Sequence, residues 1–194
     1  MLRGVNVGGH NRIPMDALRA LYASLGLRDA RTYVQSGNVI FRIDDNLKGA
    51  IPLAGFAKGG DFGVLSSRIE DAIERRFKFR PTVILRTAPE LRDVIARNPF
   101  AKRRAIDPAR LLVMFLARDS ASTARDQLLQ IKTAPEELHL IGREVFIYYP
   151  NGLARPKLPW TRIEKTLQTP ATGRNWNSVV KMLALAESLK STIS

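Results

Sequence analysis

The sequence predicts an α+β protein, and three observations lead there. Short β-rich runs alternate with segments of helical apolar spacing, and two pairs of β runs are joined by brief glycine turns. The elements also fall in the order β-α-β-β-α-β, then α, then β-α-β-β-α-α. The first six match a ferredoxin-like split βαβ unit, and the second half begins as an imperfectly related α/β subdomain. The expected division is residues 1–98, with an irregular insertion at about 44–65, and residues 99–194 with the C-terminal helices.

Leu2-Arg3-Gly4-Val5-Asn6-Val7 reads as a short apolar strand running into Gly8 and Gly9. Met15, Leu18, Leu21, Tyr22 and Leu25 recur at helical spacing, with Pro14 in the first turn and Gly26 at the C-terminal end. Residues 31–35 and 39–43 flank Ser36-Gly37-Asn38 and are expected to form a hairpin. In the insertion, Ala57-Lys58-Gly59-Gly60 lacks the spacing of a phosphate-binding P-loop and reads as plain loop. A helix is expected over 66–77, capped by Ser66 or Ser67, with Ile69, Ile73 and Phe77 on one face. Residues 82–86 form the next strand, and Thr87 caps a helix that Asn98-Pro99 ends.

Residues 110–117 are continuously apolar, so this strand is expected to be central. A helix at 121–131 follows, and residues 138–141 and 144–149 pair across Gly142-Arg143, a loop of the type II′ kind. Two helices, about 160–167 and 175–189, close the chain, the second capped by Thr172 or Asn175.

Composition narrows the chemistry. The 194 residues are 45% hydrophobic, enough for a real core, and the longest apolar run is far too short to span a bilayer. No membrane partner is expected, and a soluble cytoplasmic protein is the simplest reading. Cysteine is absent, which removes disulfides and thiolate nucleophiles. Only His10 and His139 are present, so no metal site is expected, and no sequence feature singles out a cofactor. The formal charge of +13 favours anionic partners such as a nucleotide or nucleic acid, although the arginines are scattered and the densest cluster is Lys102-Arg103-Arg104.

Topology then places a site. In a split βαβ unit the loop after the first strand and the turn between the second and third lie at one end of the sheet. Gly8, Gly9, His10 and Asn11 would stand near Gln35, Ser36, Gly37 and Asn38, with Arg80 in range, and Arg3 and Asn6 on the strand are further candidate ligand residues. Alternation puts Asn6 opposite Val5 and Val7, where an amide is unusual, and gives Arg3 the face of Val5. The alternative is that the glycines serve positive φ and that Asn38 completes its hairpin. Arg174 and Asn175 form a second candidate, with Arg155, Lys157 and Lys181 adding charge. There Trp176 can be a core anchor and Arg174 the partner of a carboxylate, or Arg174 can be a bidentate donor to a phosphate or carboxylate ligand.

Four motifs carry a resemblance: Leu2-Arg3-Gly4-Val5-Asn6-Val7-Gly8-Gly9, Thr32-Tyr33-Val34-Gln35-Ser36-Gly37-Asn38-Val39-Ile40-Phe41, Asn98-Pro99-Phe100 and Arg174-Asn175-Trp176-Asn177-Ser178-Val179. The chain resembles the domain of unknown function family numbered 1697, uncharacterised proteins found mainly in bacteria. The resemblance implies an α+β fold with a ferredoxin-like part and supplies no catalytic residues. Its members usually carry a few more apolar residues before Leu-Arg-Gly, so the first strand is expected to be clipped, and the 44–65 stretch is longer than the usual connection.

Three functions follow. The leading one is a domain that binds an anionic ligand, whether nucleotide, phosphate or nucleic acid, at the edge holding Gly8, Gly9 and the Gln35–Asn38 turn. The second is a small-molecule enzyme using Arg3, Asn6, Gln35, Ser36 and Arg174, which lacks an evident general base. The third is a protein-interaction module whose sheet face or edge carries a partner.

Overall fold

The computed structural model describes residues 1–43, 62–103, 106–153 and 158–190, and it is mixed α+β with two small antiparallel sheets. The insertion reading for 44–61, Arg104, Arg155 and Lys157 lie outside the described residues. The chain forms two compact units, Met1–Glu90 with Met182–Ser194, and Leu91–Lys181.

In the first unit, α1 (Met15–Ser24) buries Leu18, Leu21 and Tyr22, as its spacing predicts. It ends where Gly26 turns left-handed at φ +78 and its N–H reaches the Ala23 carbonyl at 2.9 Å. Strands β1 (Leu27–Tyr33) and β2 (Asn38–Ile43) form the two-stranded sheet, with a register shift between Arg28 and Arg31. β1 starts and stops earlier than predicted, leaving a four-residue turn that includes Val34 in the left-handed region at φ +51.

Helix α2 (Gly63–Phe77) begins three residues before the expected start, and neither Ser66 nor Ser67 caps it. Its buried residues, Leu65, Ile69, Ala72 and Ile73, join Leu2, Val5, Ile13, Leu27, Val83 and the α1 residues in one core. Tyr22 is completely buried in that core, edge-on to Phe41 at 5.3 Å, and its hydroxyl finds no hydrogen-bond partner among the described residues. Burial pushes the Tyr22 hydroxyl's pKa up. An orphaned buried hydroxyl is destabilising, so Tyr22→Phe is expected to gain about 1 kcal/mol in a denaturant melt.

Two predicted strands are reduced to single bridges. Leu2 pairs antiparallel with Val83, flanked by bonds from the Ile84 N–H to the Met1 carbonyl and from the Arg3 N–H to the Thr82 carbonyl, both 2.9 Å, and the pairing goes no further than Arg3. Gly4 and Asn6 sit at φ +70 and +56, so the chain cannot continue as a pleated strand. Face parity fails with it: Val5 is 1% exposed, whereas Val7 is 63% exposed and Arg3 faces solvent.

The second unit is built on four strands: β3 (Leu111–Leu116), β4 (Glu137–Ile141), β5 (Glu144–Tyr148) and β6 (Ala171–Asn175). Their spatial order is β4-β5-β3-β6, every pair antiparallel, with β3 interior as its apolar run predicts. The β4–β5 hairpin closes on Ile141 and Glu144, with positive φ at Gly142 and not at Arg143, the type II′ pattern. Helix α4 (Ala124–Leu129) lies between β3 and β4 in sequence and α5 (Trp160–Leu167) between β5 and β6, and both bury apolar residues in one core with Met114, Val145 and Ile147.

Strand β6 is a correction, because the sequence reads as loop there. Its Gly173 lies so close to Met114 that an added Cβ would meet Sδ at 2.7 Å. Two helices cross the unit boundaries. α3 (Ala88–Ala96) carries the predicted cap, with Glu90 accepting from the Thr87 N–H at 2.7 Å while its own N–H donates to Thr87 Oγ1 at 3.2 Å. α6 (Trp176–Lys190) is capped by Asn175, whose Oδ1 accepts from the Asn177 N–H at 3.0 Å.

Candidate functional site

Between Gly4 and Asn11 the backbone turns left-handed at Gly4, Asn6, Gly8, Gly9 and Asn11. Asparagine tolerates that region better than other side-chain-bearing residues, because its short amide can hydrogen-bond locally. Asn6 illustrates this: its Oδ1 accepts from the Ile13 N–H at 2.8 Å, and its Nδ2 donates to the Ile13 carbonyl at 3.2 Å. It thereby serves Ile13 as a neighbouring strand would. The same Nδ2 donates to the Gln35 carbonyl at 2.8 Å, which ties the glycine loop to the turn before β2. Asn11 closes the loop by donating from Nδ2 to the Gly4 carbonyl at 3.0 Å.

The two turns that the sequence brings together are therefore joined through one side chain. Beside them lies an open depression of about 440 Å³, lined by Asn6, Gly9, Arg12, Ile13, Pro14, Met15 and Gln35. Helix α1 begins at its wall, so the first N–H groups of that helix, which have no intrahelical partner, lie beside it. Arg12 is exposed and makes no hydrogen bond or ion pair among the described residues. The one acidic residue in the first turn of α1, Asp16, is ion-paired with Arg19. Sequence reading missed Arg12, because nothing in a chain with scattered arginines separates it from the rest.

Other candidates serve the turn itself. Asn38 is fully buried, and its Nδ2 donates to the Tyr33 carbonyl at 3.2 Å and to Ser36 Oγ at 3.1 Å. Gly37 has φ +74 and an added Cβ would meet Leu2 Cβ at 2.9 Å. Gly8 lies in the loop without lining the depression, and Arg3 donates its N–H to the Thr82 carbonyl at 2.9 Å. Arg80 is held by three carboxylates of α2, pairing with Glu70 at 3.2 Å, Glu74 at 3.0 Å and Asp71.

Arg174 and Asn175 belong to the second unit. Arg174 is buried on β6, where Nη1 donates to Thr172 Oγ1 at 3.0 Å and to the Gly173 carbonyl at 2.7 Å. Burial pushes its pKa down to about 10, since desolvation disfavours the charged form. Besides capping α6, Asn175 donates from Nδ2 to the Ala109 carbonyl at 2.8 Å. Among the described residues no group of three or more His, Asp or Glu is placed to hold a metal ion, and no helix is long and apolar enough to cross a membrane.

Comparison with solved structures finds the conserved bacterial protein SP0830 from Streptococcus pneumoniae, with a TM-score of 0.58 at 22% identity over 96% of each chain. The likeness is one of fold. No curated protein matches the chain. Residues 1–146 match the family model described as "Protein of unknown function (DUF1697)", which takes in the first three motifs and stops short of Arg174-Asn175-Trp176-Asn177-Ser178-Val179, and the chain belongs to that family.

Proposed function

We propose that the first unit binds an anionic ligand, a phosphate group or a nucleotide, in the depression beside Asn6, Gly9, Arg12 and Gln35. The observation that carries this reading is Arg12, a guanidinium with no protein partner among the described residues, at an opening beside the N-terminus of α1. A helix N-terminus favours negative charge and an arginine adds a bidentate donor, so the two act on the same ligand group. Asn6 positions the loop and Gln35 borders the opening, while Ser36, Asn38 and Gly37 hold the turn behind them. Arg174 and Asn175 are not needed for this reading.

Nucleic acid is the less favoured ligand. Phe41 packs edge-on against buried Tyr22, so it is not offered as a free stacking surface for bases. The fold behind the site is proposed to follow the ferredoxin-like plan in both units. In the second, the elements β3-α4-β4-β5-α5-β6 and the order β4-β5-β3-β6 support it. In the first, Leu2 lies between Val83, its bridge partner, and Gly37, whose carbonyl accepts its N–H at 3.0 Å.

Calorimetric titration of the full chain with inorganic phosphate and with adenosine monophosphate tests the reading. Arg12→Ala is expected to weaken binding by about tenfold or more, the loss of one charge-assisted contact. Binding that is absent in the wild type, or unchanged in Arg12→Ala, contradicts it. Filter binding of single-stranded RNA at low salt that weakens steeply with added salt and is lost in Arg12→Ala would move the ligand class to nucleic acid.

A further inference from the structure

We infer that the outer edge of β4, with the apolar groove between it and α4, is a docking site for an extended acidic segment of a partner protein, which adds to the sheet as another strand. β4 is an end strand, paired with β5 on one side. In a two-residue hairpin the flanking residues Ile141 and Glu144 form a hydrogen-bonded pair. Alternation then turns the backbone N–H and carbonyl groups of Leu138 and Leu140 away from β5. No turn, cap or loop hydrogen bond engages those groups among the described residues. Such an edge is a template for β-strand addition.

Beside it lies a groove of about 260 Å³, lined mainly by Leu128, Leu129, Ile131, Leu138 and Leu140, with Arg125 on its wall. Leu129 is 73% exposed there, the most exposed large apolar side chain among the described residues. An added strand would hydrogen-bond the edge while alternate side chains enter this groove.

Charge selects the occupant. Arg125 is exposed and makes no hydrogen bond or ion pair among the described residues, and exposed Lys132 follows α4. The carboxylate next to it in sequence is Asp126, also exposed, while Glu137 on β4 is already paired with Arg103 at 2.7 Å. A second copy would bring another chain of +13 to the same edge. An extended segment whose apolar and acidic residues share one set of alternate positions turns both toward the groove and Arg125, and so meets backbone, groove and charge at once.

The probe is a fluorescein-labelled glutamate–valine peptide in which the two share one set of alternate positions with threonine between them, followed by anisotropy with the full chain, against the corresponding lysine–valine peptide and a glutamate–valine peptide N-methylated on one edge. The glutamate–valine peptide is expected to bind and to shift the Leu138 and Leu140 amides in NMR spectra. N-methylation of the pairing edge is expected to abolish binding, and Arg125→Glu to weaken it by about tenfold. Arg68→Glu on α2 makes the same change of net charge elsewhere and is expected to leave the affinity unchanged. Equal binding of the lysine peptide, no binding of the glutamate peptide, or equal losses in the two variants overturns the inference. A dimer in light scattering whose Leu138 and Leu140 amides become protected as concentration rises overturns it too, in favour of a second copy.

Discussion

Gly37→Ala is expected to lower the stability of the first unit by about 3 kcal/mol, from left-handed strain of about 1 kcal/mol and overpacking of 1–3 kcal/mol. Gly37 has φ +74, and the new methyl would lie 2.9 Å from Leu2 Cβ and 3.5 Å from Val5 Cβ. Both neighbours are 1% exposed in the core, and Leu2 is held by its hydrogen bond to the Gly37 carbonyl, so neither has room to move. In a thermal melt the apparent midpoint should fall by roughly 6–12 °C. Gly4→Ala is the internal comparison. Gly4 has φ +70 with no atom within 4 Å of the added Cβ, so it should show the backbone cost without the steric one. Equal losses at the two positions would show that the Leu2 contact contributes nothing.

Asn6→Ala should cost about 2–3 kcal/mol and also weaken anion binding, because one side chain makes three hydrogen bonds that join two loops. The Ile13 N–H would lose its acceptor beside a core residue that is 3% exposed. Without the bond to the Gln35 carbonyl, the glycine loop is no longer tied to the turn that borders the depression. Asn6→Asp sharpens the test. The carboxylate keeps an acceptor for the Ile13 N–H but faces the Ile13 and Gln35 carbonyls with no donor, so it should be no better than alanine. Wild-type stability in Asn6→Asp would remove the donor bonds from the account.

What was legible in the sequence follows from how local each signal is. The Thr87 cap, the Gly26 helix end and the Gly142-Arg143 hairpin were readable, because residues a few positions apart determine them. The proximity of the Asn6 loop to Gln35 was also readable, through topology. The conformation of residues 2–7 was not. Its residue types are those of a strand, and the two left-handed residues that break it, Gly4 and Asn6, show no periodic signature. β6 was missed because Ala171-Thr172-Gly173-Arg174-Asn175 has little strand preference of its own and forms by pairing with β3. Arg12 was missed because its significance comes from the opening it borders.

The most direct test of the central claim is an NMR titration of the 194-residue chain with inorganic phosphate, followed amide by amide. Saturating shifts at Gly9, Arg12, Met15 and Asp16, with a midpoint that rises by about tenfold or more in Arg12→Ala, are the expected result. No saturating shift, or shifts confined to residues away from the depression, would contradict it.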